Sequence, residues 1–168
     1  MSFPTYPEYR NTEIQWLGEI PSHWSICALK RGFQILGGTT PSTDDVNWNG
    51  PIQWATPADL SGLSSLYLHS TKRTLSRNGM ASCGCSMLPV GSIILSTRAP
   101  IGSLAINTEP MTTNQGCKGL VPGDDTDSAF FAYVLSISKA LLNNLGKGTT
   151  FLELSGDELG RFQLMFPP

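Results

Sequence analysis

Apolar residues recur along this chain in two rhythms, each predicting a different element. In VGSIILSTRAPIGSLAI, residues 92–97 and 102–106 are compact β-branched and apolar runs, a strand pair joined across Arg98-Ala99-Pro100-Ile101. Over residues 127–145 the rhythm turns helical: Phe130, Phe131, Val134, Leu135, Leu141, Leu142 and Leu145 form one stripe, Asp125 or Asp127 offers an N-cap, and Gly146 a stop. Residues 25–36 stay open between the two. Ile26, Leu29, Phe33 and Leu36 favour a helix, whereas Ile26 with Ala28 and Phe33 with Ile35 suit strands.

Shorter signals fill the remainder. Residues 52–55 read as a short strand among Asn-Gly, Gly-Pro and Thr-Pro turns, and Ser155-Gly-Asp-Glu158 is a capping box for one turn of helix before a β run at 162–166. Tyr6, Tyr9, Trp16 and Trp24 alternate with Pro4, Pro7 and Pro21. That pattern predicts an arm over 1–24 with little regular structure, held to the body by aromatic anchors. The whole reads as α+β: one domain over 25–168 with a strongly twisted β body, one well-signalled helix and long loops.

Composition narrows the function. With 168 residues the chain can bury a core without metals or disulfides. Its formal net charge of -2 and 14% charged residues do not announce a nucleic-acid binder, so any attraction to DNA must come from a local face. Cys27, Cys83, Cys85 and Cys117 read as free thiols, because Cys83-Gly-Cys85 lacks the spacing of a zinc knuckle and has no histidine nearby. His23 and His69 have no motif partner. No apolar run is long enough to span a bilayer, and MSFPTYPEYR is not a signal peptide, so a cytoplasmic protein is expected.

Candidate chemistry is local. In GGTTPS, Gly37-Gly38 permits positive φ and Pro41 stops a helix, a bend suited to reversing a strand or to cradling a phosphate with Thr39 and Thr40. Lys72, Arg73 and Arg77 cluster in HSTKRTLSRNG, while Arg98, Lys118 and Lys147 each adjoin Thr, Asn, Gln or Gly, a composition suited to phosphates and base edges or to an ordinary solvated surface. Asn114 and Gln115 carry amides able to bond adenine or to close a turn, and Arg98 at a strand end suits either DNA or a structural salt bridge. The loop of Gly146, Lys147, Gly148, Thr149 and Thr150 has the wrong order for a Walker A loop. Asp44-Asp45 and the cluster Asp124, Asp125 and Asp127 sit in turn or cap contexts, and no methyl-donor motif is present. No enzyme and no cofactor are expected.

Taken in order, EIQWLGEIPSHW, GGTTPS, IQWATPADLS, LPVGSIILSTRAPIGSLAI, TTNQG, GKGTTF and FPP resemble the first target recognition domain of a type I restriction-modification specificity subunit, over nearly all of the chain. In that family two such domains each read half of a split DNA sequence, separated by long helices that dock methyltransferase subunits. The resemblance implies a non-catalytic reader of double-stranded DNA, partnered by modification subunits and, through them, the restriction subunit. Residues 37–41, 97–102, 113–116 and 148–150 match the family's motifs and would shape the scaffold and the phosphate-facing loops; base-reading side chains differ between members. Recognition is expected from loops 42–50, 68–85 and 107–118, with Lys72, Arg73, Arg77, Arg98 and Lys118 supplying charge. The family's long helix would begin just after a pair like Pro167-Pro168, so a shortened or natural half-sized subunit is expected. The rival reading is a protein-interaction module anchored by exposed Trp48 and Trp54.

Overall fold

The structure is a computed structural model and describes residues 5–148 and 152–168. In chain order its elements begin with strands β1 (Tyr9–Asn11), β2 (Glu19–Pro21), β3 (Ser25–Ala28), β4 (Phe33–Gly37) and β5 (Trp48–Ala55), then helix α1 (Pro57–Ser61). Strands β6 (Tyr67–Leu68) and β7 (Thr74–Leu75) lead to α2 (Arg77–Cys83), followed by β8 (Ile93–Ser96), β9 (Leu104–Asn107), β10 (Met111–Thr113) and β11 (Cys117–Pro122). Helices α3 (Ser128–Ile137), α4 (Lys139–Leu145) and α5 (Gly156–Arg161) precede β12 (Gln163–Phe166). This is the α+β class.

A five-stranded sheet in the order β4-β11-β8-β9-β6 forms the centre, antiparallel except where β6 runs parallel to β9. The sequence-predicted strand pair is its β8-β9 hairpin. All four residues of β8 are buried because both faces of the strand are covered. Side chains alternate, so Ile93 and Leu95 join Phe131, Leu135 and Leu142 beneath α3 and α4, while Ile94 joins Leu60, Leu68, Leu88 and Met111 on the other face. A smaller sheet, β10-β5-β7, covers a third cluster of Trp48, Trp54, Leu75 and Cys85.

Residues 25–36 resolve as β3, a 3-10 turn at Leu29–Arg31 and β4. Distant partners decide this: β12 pairs with β3, β11 pairs with β4, and Leu29 N donates to Phe162 O at 2.9 Å. The single helix predicted over 127–145 is two. Buried Ser138 turns its Oγ back onto Val134 O at 2.7 Å, ending α3 and starting α4. The segment predicted to lack regular structure holds the antiparallel β1-β2 hairpin, with Tyr6 edge-on to Trp24 and Trp24 edge-on to Phe130.

Candidate nucleic-acid interface

The GGTTPS bend leaves β4 at Gly37, which is in register with Lys118 of β11. Gly37 and Gly38 do not take the positive φ that the sequence suggested; close approach is what demands glycine here. A Cβ on Gly38 would stand 2.0 Å from Asn114 O and 2.4 Å from Thr113 O, so the bend lies directly on the 113–116 turn. Thr39 N donates to Thr113 O at 3.0 Å, and the Thr40 hydroxyl donates to Gln115 Oε1. The bend is a clamp. It joins two loops that are more than seventy residues apart in the chain.

The clamp sorts the polar candidates. Thr39 faces inward: its hydroxyl donates to Cys83 O at 3.0 Å and its carbonyl accepts Trp54 Nε1 at 3.0 Å. Thr40 and Gln115 are exposed. Asn114 closes the turn, its Oδ1 accepting Gly116 N at 2.9 Å. Thr149 and Thr150 lie outside the described residues.

Trp48 and Trp54 are buried, at 9% and 4% exposure, which overturns their reading as exposed anchors. They meet edge to face at 5.0 Å, and their indole N–H groups donate to Ser42 O and Thr39 O. Arg73 covers them. Its guanidinium lies 3.6 Å from the Trp48 ring centroid and 5.5 Å from that of Trp54, which holds an exposed cation beside the clamp in one orientation. Lys72 is exposed, its backbone N–H donating to buried Asp59 at 3.0 Å. Exposed Arg77 opens α2, after Ser76 at its N-cap. The 42–50 and 68–85 loops adjoin, since Ser76 N donates to Asn47 O at 2.9 Å.

Among the described residues two cations are paired. Arg98 Nε lies 3.4 Å from Glu153, with about two-fifths of each side chain exposed, so the structural reading of Arg98 is realised in the free protein. Lys147 Nζ lies 2.6 Å from Glu158, and this hydrogen bond holds the Glu158 carboxyl below the usual carboxylate range. Arg98 is tied to the clamp through its neighbour: Thr97 N donates to Gly116 O at 2.8 Å. Lys118 is half-buried, lying over Gly37 and Gly156. Sequence reading passed over Lys30 and Arg161, which line a groove with Ile35, Gly156, Asp157 and Gly160. No motif marks them; they are brought together because the Lys30 stem rests against Gly160, where a Cβ would come within 3.6 Å.

Adjoining loops clamped on the central sheet display an amide, a hydroxyl and an oriented guanidinium, groups able to bond phosphates and base edges. Among the described residues there is no group of three or more metal-ligating side chains. Residues 21–168 match the family model of the type I restriction modification DNA specificity domain, and the chain belongs to that family. It is 34% identical over 163 residues to the type I restriction enzyme MjaIX specificity subunit of Methanocaldococcus jannaschii, a match covering 95% of this chain and 37% of the relative. It is 27% identical over 153 residues to the HindI specificity subunit of Haemophilus influenzae, covering 88% and 33%. The fold is that of the HsdS subunit from Thermoanaerobacter tengcongensis, with a TM-score of 0.68 at 20% identity over 89% of this chain and 34% of that one. The chain thus spans about a third of the length of these relatives.

Proposed function

We propose that this chain reads one half of a bipartite double-stranded DNA site as a target recognition domain of a type I specificity subunit. In this reading it acts in the cytoplasm, performs no chemistry itself, and directs methyltransferase subunits, and through them the restriction subunit, to the site. Residues 1–24 serve as an arm on the recognition body 25–168.

The observation that carries the proposal is the clamp of GGTTPS on the 113–116 turn beside the Arg73-Trp48 stack. It supports direct readout, because Gln115 has an amide suited to adenine and Arg73 a pre-oriented fork suited to guanine. Thr40, whose hydroxyl donates to Gln115, orients that amide beside the DNA, while Lys72, Arg77 and Lys118 contact phosphates and set the register. Arg98 and Lys147 join them by exchanging Glu153 and Glu158 for phosphate oxygens. Thr39 and Asn114 act by holding the clamp's shape, and Thr149 and Thr150, which match the family's motif, are further candidates for DNA contact.

The experiment is an anisotropy titration of the assembled specificity-methyltransferase complex against a duplex carrying the bipartite sequence it methylates, beside one with this half-site scrambled. Arg73→Ala and Gln115→Ala are expected to weaken cognate binding by about 5- to 150-fold, the span of one lost bidentate base contact, while leaving the scrambled duplex nearly unaffected. Equal affinity for both duplexes in the parent complex rules the proposal out.

A further inference from the structure

Behind the clamp, Cys83 and Cys85 hold their Sγ atoms 2.7 Å apart. That separation is roughly 0.7 Å beyond a bonded pair. The approach follows from the backbone: Gly84, at the end of α2, takes a left-handed φ of 62°, which folds Cys85 back over the last helical turn. Thr39 Oγ1 stands 2.9 Å from Cys85 Sγ and donates to Cys83 O, tying the pair to the GGTTPS bend. An open groove of about 380 Å³, lined by Ile52, Arg77, Met80, Ala81, Gly84 and Cys85, leads to it.

The two thiols are unequal. Burial raises Cys83, but hydrogen bonds from Cys85 and Thr39 outweigh it and hold that thiol below its ordinary value. Burial, reinforced by the neighbouring Cys83, pushes Cys85 up to about 11. Half-buried Cys83 is therefore the better nucleophile, and buried Cys85 waits beside it. Cys117 is sealed in the core with its thiol pushed up to about 12, and Cys27 lies 3.9 Å from a serine hydroxyl.

We propose that Cys83 and Cys85 form a reversible dithiol-disulfide site whose co-reactant is a small disulfide of the glutathione class. The Cys83 thiolate attacks one sulfur of oxidised glutathione; the glutathione S–S bond breaks, a mixed disulfide forms, and the first glutathione leaves as a thiolate that takes up a proton. Cys85 then loses its proton and attacks the Cys83 sulfur, expelling the second glutathione, which is protonated in turn. Two cysteine thiols are oxidised by two electrons as one disulfide is reduced to two thiols. Arg77 on the groove supplies a cation for the carboxylates of the incoming tripeptide. Oxidation also draws on the Cys85 sulfur that Thr39 Oγ1 meets at 2.9 Å, so the exchange reaches the clamp itself.

The test incubates the purified chain in buffers of graded oxidised-to-reduced glutathione ratio, quenches with acid and alkylating agent, and maps peptides by mass. The expected product is one Cys83–Cys85 disulfide, lighter by two hydrogens, with Cys27 and Cys117 alkylated and full reversal by reduced glutathione. Cys85→Ser should retain a stable glutathione adduct on Cys83, and Cys83→Ser should react at least about tenfold more slowly. A glutathione adduct that persists on Cys83 of the parent chain, or oxidation of Cys27 ahead of the pair, overturns the proposal. The parent chain decides it even where a variant fails to fold.

Discussion

Gly37 and Gly38 adjoin in the chain but answer to different neighbours. A Cβ on Gly38 would strike backbone oxygens of the 113–114 segment at 2.0 and 2.4 Å, and backbone has nowhere to go. At Gly37 the nearest atom is the mobile end of Lys118, at 3.6 Å. Gly38→Ala should therefore cost about 2 to 3 kcal/mol, the scale of overpacking, and lower the melting temperature by several degrees. Gly37→Ala should fall within about 0.5 kcal/mol of the parent. Calorimetry of the two variants separates close approach from backbone freedom as the reason for the pair; equal melting temperatures would refute it. Arg73 carries the same lesson, since its orientation comes from a ring twenty-five positions away in the chain rather than from its neighbours in TKRT.

Helix α3 turns a local choice into a measurable one. Asp125 and Asp127 are both plausible caps by composition, but only Asp127 accepts Phe130 N, at 2.7 Å, and occupies the N-cap. Asp127→Ala should cost about 1 kcal/mol, within the usual range for losing a cap, and Asp125→Ala should be silent. Urea unfolding of both variants checks this, and equal midpoints would show that the cap is not where the backbone places it. The break between α3 and α4 has another origin. Leu142 reaches the core shared with Ile93 and Leu95 after the chain bends at Ser138, whose buried hydroxyl bonds a carbonyl four residues back. Periodicity over residues 127–145 reports the apolar stripe without reporting that bend.

For the molecule as a whole, charge is the term that must be organised. A formal charge of -2 opposes binding to a polyanion, and two of the cations are already engaged with Glu153 and Glu158. Attraction then depends on other cations, among them Lys72, Arg73, Arg77 and Lys118 together with Lys30 and Arg161. If about five phosphates are neutralised, the logarithm of affinity should fall against the logarithm of salt with a slope of about -4 to -5 in the assembled complex. Lys118→Ala should reduce that slope by about 0.9 without altering which sequence is preferred. A slope unchanged by the substitution removes Lys118 from the phosphate contacts. The isolated chain, with one half-site and a net negative charge, should bind more weakly than the complex at every salt concentration.

What the sequence determined by itself is whatever short-range chemistry dictates. The β8-β9 hairpin follows from two apolar runs around a Pro-containing turn, the start of α5 from Ser155, which accepts Glu158 N while the Glu158 carboxylate leaves the expected capping box for Lys147, and the family from the order of motifs such as GGTTPS, STRAPIG and TTNQG. Tertiary structure decided everything that depends on a distant partner. It made strands of residues 25–28 and 33–37 by supplying β12 and β11, buried Trp48 and Trp54 beneath Arg73, turned Thr39 inward, and brought Glu153 to Arg98. Dihedral preference and one-sided burial repeat every two or four residues and can be read along a chain. A partner's identity is selected only when the chain closes on itself, and nothing in the spacing of neighbours encodes it.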